Sequence, residues 1–139
     1  MTKLENWEWK PHAAVGPIAF GDQIDVHRKR FALYEHERDY DGADVWIQYW
    51  SDICGLSVLT VNGRVTSVTC EKQCYYHDKN LVGIAEAKLR AILPVSSLAI
   101  SKDPFGHSLV LEEFGFDAHI EDGIVTSVTV SVDPDSVCA

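Results

Sequence analysis

Basic residues are scarce in this sequence. Lys and Arg total 12 against 21 Asp and Glu, a formal net charge of −9. Nucleic acid and anionic membrane surfaces reward clustered cations, so the shortage argues against both as the main partner and suits a basic one. Long apolar runs are missing too: none approaches the roughly 18 residues of a membrane-spanning helix. Residues 1–10 carry Trp7 and Trp9 among charges, without the basic region and apolar stretch of an export signal. A cytoplasmic protein is therefore expected, with Cys54, Cys70, Cys74 and Cys138 reduced. No G-x-G-x-x-G, P-loop, G-x-S-x-G or H-E-x-x-H pattern occurs, so the usual dinucleotide, phosphate and hydrolase signatures are lacking. No cofactor and no catalytic residue are expected. What remains is ordinary globular material, 46% apolar and 24% charged over 139 residues, the length of one domain.

What is present is a repeat. Gly63-Arg-Val-Thr-Ser-Val-Thr69 recurs as Gly123-Ile-Val-Thr-Ser-Val-Thr129, an offset of 60 that also aligns Gly55 with Gly115 and Asn62 with Asp122. Asn-Gly and Asp-Gly between alternating runs predict a β-hairpin in each copy. A three-residue loop with Gly123 as a left-handed bulge residue gathers Phe116, Ala118, Ile120, Ile124, Val128 and Val130 on one face. That register is preferred because a buried face sets it. The same register turns Leu56, Val58, Val68 and Cys70 inward. It leaves Ser57, Leu59, Val65, Ser67 and Thr69, with Asp117, His119, Val125, Ser127 and Thr129, on an open, hydroxyl-rich face.

Helical spacing precedes each hairpin. Ile24, His27 and Phe31 predict a helix over 22–33; Ile84, Ala85, Leu89, Ile92 and Leu93 predict one over 84–93, stopped by Pro94. A further strand is expected over 44–51 in the first copy, and strands over 97–101 and 108–112 in the second. Residues 34–43 read as a loop and 133–139 as a loose tail. The expected architecture is α+β: one domain over 1–139, with repeats at about 15–70 and 80–132. Each repeat is a helix plus an antiparallel meander, and the two share one curved sheet with the helices on one face.

The run Val15-Gly-Pro-Ile-Ala-Phe-Gly21, a short helix, an aromatic strand and the Gly55-Leu-Ser-Val58 hairpin form one unit. Asn80-Leu-Val-Gly-Ile84, a helix and the second hairpin form the other. This pattern resembles the tandem helix-plus-meander repeat of the beta-lactamase inhibitor protein fold. It is also similar to small acidic immunity proteins of bacterial toxin–immunity loci, including contact-dependent inhibition systems. The resemblance implies a cytosolic protein that binds and neutralises a cognate toxin, a basic nuclease by charge, through occlusion rather than catalysis. The in-repeat disulfides of the secreted inhibitors have no counterpart here, because the cysteines do not fall at matching positions.

Residues that could carry such binding fall in two places. Glu35, Glu37, Asp39, Asp41 and Asp44 form an acidic run beside Tyr34, Tyr40 and Trp50. Acids next to aromatics supply both steering and burial at an interface. The run lacks the glycine placement and closing glutamate of a calcium loop. Trp46, Gln48 and Trp50 share one side of their strand, and Val45, Ile47 and Tyr49 the other. Either the aliphatic side packs inward and two tryptophans, frequent hot-spot residues, face out, or the reverse. Asp117 and His119 share the open face of the second copy; they could line a small-ligand pocket with Trp46 and Trp50, the alternative function, or act as an acid–base pair. Cys70, Cys74 and His77 have a C-x3-C-x2-H spacing. A zinc site needs a remote fourth ligand, such as Cys54, so the cysteines read as buried thiols plus a loop cysteine, and no metal is expected.

Overall fold

The structure, a computed structural model, describes residues 7–93 and 98–137. It is broadly α+β: mostly antiparallel sheet, with a few short helices. Three two-residue strands come first, β1 (Trp9–Lys10), β2 (Ala14–Val15) and β3 (Ile18–Ala19), as a small sheet of their own. Helix α1 (Asp25–Arg28) leads into four strands, β4 (Tyr34–Asp41), β5 (Asp44–Ser51), β6 (Leu56–Val61) and β7 (Arg64–Cys70). The pair β8 (Tyr75–Tyr76) and β9 (Lys79–Asn80) precedes helix α2 (Glu86–Ile92). Four more strands follow, β10 (Leu98–Asp103), β11 (Gly106–Leu111), β12 (Phe116–Glu121) and β13 (Ile124–Ser131), then helix α3 (Pro134–Val137).

The eight long strands form a single antiparallel sheet in the order β10-β11-β12-β13-β7-β6-β5-β4. Each set of four is a meander, and the two last strands meet at β13–β7. There Thr69 stands opposite Thr129, flanked by Val68 opposite Val130 and Cys70 opposite Val128. The Thr69 and Thr129 hydroxyls hydrogen-bond at 2.8 Å.

The hairpin turns are two residues long, not three. Val61 pairs with Arg64 and Glu121 with Ile124. Asn62 and Gly63 have φ of 54° and 81°, and Asp122 and Gly123 of 52° and 76°. Two successive positive φ values are what a type I′ turn demands. The change of alternation that the apolar residues require comes later, at a β-bulge. The register shifts between Leu59 and Thr60 in one hairpin and between His119 and Ile120 in the other. Thr66 and Thr126 are the extra residues, and each returns its hydroxyl to a carbonyl across the hairpin, of Leu59 and His119 respectively, at 3.3 Å. Val65 and Val125 therefore turn inward against expectation, and Ile124 turns outward, 42% exposed. The remaining assignments of inward residues hold.

The inward face carries Tyr49, Val58, Val68, Leu109, Phe116, Ala118, Val128 and Val130 into one apolar core. Trp7, Trp9, Ile24, Phe31, Leu81, Leu89 and Leu93 join them there. Trp9 packs its ring 4.8 Å from Phe116 and 5.0 Å from Tyr76, which ties the N-terminal strand to the sheet.

The helices start later than their spacing predicts, for one reason at both sites. The residues before each helix bond to the hairpin instead of starting a helical turn. The N–H of Gly21 donates to Val65, that of Val65 to Asp22, and that of Ile24 to Gly63. In the second unit Gly83 donates to Val125, Val125 to Ile84, and Glu86 to Gly123. Helix α1 then stops early, and Ala32 takes a positive φ of 53°. Ile24, His27 and Phe31 are nonetheless all buried.

Two further expectations change. Residues 34–41 are a strand, β4, at the edge of the sheet rather than a loop. Residues 134–137 of the presumed tail are helical and α3 packs against β7, so this part is not loose. Pro94, Ser97, Cys138 and Ala139 lie outside the described residues.

Candidate functional site

β5 decides which face is open. Ile47 and Tyr49 are buried, while Trp46, Gln48 and Trp50 are half-buried on the opposite side. The aliphatic side therefore packs inward and both tryptophans stand on the outer face, as one of the two readings required.

β4 builds the edge of that face. Directly opposed residues of an antiparallel pair share a side. Glu37 is opposite Gln48, Asp39 opposite Trp46 and Asp41 opposite Asp44. These three acids thus flank the tryptophans, and all three are exposed. Glu35 does not join them. A bulge at His36 puts Glu35 opposite Tyr49, on the other side of the strand. There the Arg38 guanidinium donates to it at 2.7 and 3.3 Å. This hydrogen bond to Arg38 holds the Glu35 carboxyl below its ordinary range. Asp44, at the turn, accepts from Asn62 Nδ2 at 3.0 Å. Among the described residues no ion pair engages Glu37, Asp39 or Asp41.

The two tryptophans differ. The His36 ring lies flat on Trp50, with centroids 3.3 Å apart and planes inclined by 13°. Trp46 instead lines a concavity of about 570 Å³ together with Glu37, Asp39, Tyr40, Asp41, Gln48 and Leu59. Gln48 is pinned by donating Nε2 to Ser57 Oγ at 2.9 Å. The site has an indole wall, a fixed amide and a rim of carboxylates, of which Asp39 accepts the N–H of Tyr40 at 2.8 Å. It can receive a cation and bury apolar area beside it.

The same face continues across the sheet. Successive register pairs link Trp50, Ser57, Thr69, Thr129 and Asp117 into one row. Ser131 Oγ donates to Ser67 Oγ at 2.9 Å in the neighbouring row. At about 4.8 Å per strand, Asp117 lies roughly 19 Å from Trp50. The two groups of expected binding residues therefore share a face but not a pocket. His119 has Asp103 at 3.6 Å from Nδ1 and Glu121 at 3.6 Å from Nε2, with Ser108 Oγ at 3.5 Å. Its neighbours are thus carboxylates of β10 and β12 other than Asp117.

Cys70 and Cys74 are both buried, and their thiols share a hydrogen bond. That bond, with burial, pushes the Cys70 thiol well above its usual range. His77 is exposed beside Tyr76.

Sequence reasoning missed His36, Arg38 and the division of the acids between two faces. The E-x-x-R spacing of Glu35 and Arg38 was the only trace. Their juxtaposition depends on the β4 bulge, which no residue type announces. Comparison with protein-family models, with curated proteins and with solved structures finds no match.

Proposed function

We propose that this protein is an immunity protein, which binds a cognate basic toxin stoichiometrically and covers its active cleft or nucleic-acid surface. One observation carries the reading. The outer face of the sheet presents two half-buried tryptophans next to three carboxylates that have no ion-pair partner among the described residues. A net charge of −9 adds long-range attraction for a basic partner, and aromatic burial slows dissociation once the two meet.

The proposal includes the architecture, two helix-plus-meander units derived from one. The seam supports it: Thr69 faces Thr129, its own counterpart at the offset of 60, and the flanking pairs exchange under the same offset. Supporting it equally, the three helix-to-hairpin bonds, the two threonine bulges and the bonds from Glu71 to Gly55 and from Ser131 to Gly115 all occur in corresponding pairs. This arrangement is similar to the tandem repeat of the beta-lactamase inhibitor protein fold.

Capture from lysate of the native host, followed by a growth-protection assay, tests the function. The expected outcome is a basic protein, toxic when expressed alone and harmless when co-expressed with this chain. Capture of no basic partner from that host counts against the reading.

A further inference from the structure

The two halves of the sheet correspond position by position, and the correspondence separates what the fold requires from what it does not. The offset of 60 aligns Trp50 with Val110 and Gln48 with Ser108, which pair equivalent neighbours, and Trp46 with Gly106, which opens β11 at the β10–β11 turn. At the edges, Asp39 pairs with Trp46 as Asp103 pairs with Gly106, and Glu37 pairs with Gln48 as Ser101 pairs with Ser108. The second half, with an edge hairpin two residues shorter on each strand, carries serine and valine where the first has Gln48 and Trp50, and at the Trp46 position it has Gly106, where a Cβ would strike the Ile120 carbonyl. The sheet forms without an indole at the Trp50 position, and large aromatics left half-exposed there and at Trp46 are placed for contact.

We infer that the partner is held by the β4–β7 half of the face, and that an arginine side chain of that partner occupies the Trp46 concavity against Glu37, Asp39 and Asp41. Charge selects a cation. The indole selects its form: a guanidinium is planar, weakly hydrated and able to lie on an aromatic ring while donating to two carboxylates, whereas an ammonium is a compact, strongly hydrated point charge. Trp46 is the indole that lines the concavity, and Trp50 carries His36 on its ring. The inference rests on the outer face being the contact surface, but it does not depend on what the partner does.

The test needs no partner. Blocked hexa-arginine, hexa-lysine and hexa-glutamate peptides are titrated into the intact chain while the tryptophan indole N–H resonances are followed. Hexa-arginine is expected to shift the Trp46 resonance and leave those of Trp7 and Trp9 in place. Glu37→Gln with Asp39→Asn should weaken it about tenfold, and Trp46→Leu, read by titration calorimetry, about fivefold. Asp117→Asn and His119→Ala, on the other half, should change it less than about twofold. Equal affinity for hexa-lysine overturns the assignment to arginine. An unmoved Trp46 resonance, or equal losses from Asp117→Asn, overturns the location. If hexa-arginine binds as expected and the native host yields no toxin, the function fails and the site stands. If a toxin is neutralised and the Glu37, Asp39 and Trp46 variants still bind it fully, the site fails and the function stands.

Discussion

Gly55 and Gly115 hold nearly the same backbone conformation, φ of 63° and 62°, yet their surroundings differ. A Cβ on Gly115 would strike the backbone carbonyl oxygen of Ser131, while one on Gly55 meets only the flexible side chain of Lys72. Both alanine variants incur left-handed strain of about 1–2 kcal/mol. Gly115→Ala should lose clearly more than Gly55→Ala in urea unfolding, because backbone cannot move aside as a lysine chain can. A second residue-scale expectation concerns Glu86. Burial alone would raise its carboxyl, but Arg90 at 2.9 Å and His107 at 2.7 Å outweigh burial and hold it below its ordinary 4.5. A depressed folded-state value means that the stabilisation is complete above the unfolded value and is lost as pH falls through the folded one. Glu86→Gln should therefore lower stability by about 1 kcal/mol at neutral pH, with the difference from wild type shrinking as pH falls below the ordinary 4.5. Urea midpoints measured from pH 7 to pH 3 check this.

Among the elements, the hairpins are the most informative. The repeated Val-Thr-Ser-Val-Thr has a physical account once the bulge is known. The first valine is core, the first threonine fills the bulge and bonds back across it, the serine faces out, and the second valine is core again. The final threonine reaches its counterpart across the seam. Sequence alternation showed that the pattern must change phase between Ile120 and Val128. It could not tell a bulged turn from a tight turn followed by a bulge, because both restore the buried face. The two differ in which residue is inside. Val125→Ala should cost about 2 kcal/mol, two methyl groups' worth of burial plus some cavity, and Ile124→Ala less than about 0.5 kcal/mol. Thermal or urea unfolding of the pair decides it. β4 shows the opposite limitation. Six of its eight residues are Glu, His, Arg or Asp and all eight are exposed, so no buried face marked it as a strand. Charges and a bulge are how an edge strand avoids pairing with another chain, and here they also read as a loop in sequence.

Across the whole molecule, the excess of acid has a direction. Glu37, Asp39 and Asp41 face outward beside Trp46, and Glu35 is spent on Arg38 on the other side. If the proposed function holds, neutralising the first three together should slow association with the toxin about tenfold at low salt. It should also flatten the salt dependence and leave the unfolding midpoint unchanged. Glu35→Gln should do far less to the rate. Stopped-flow association at several ionic strengths makes the comparison. Unchanged rates for the triple variant would reduce the acidity to a matter of solubility.

The sequence by itself determined the class of fold, the two hairpins, the strand over 44–51 with its bounds, the core of the second helix, and which residues of β5 share a side, though not which side packs inward. These follow from local periodicity and turn chemistry, which act over a few residues. Only the tertiary structure decided which acids stand with the tryptophans, that Trp50 lies under His36 while Trp46 opens to a concavity, and that Asp117 and His119 are four strands away. Those relations depend on register between strands and on bulges. Register is settled by burial of the whole inward face at once, a quantity that no single segment contains.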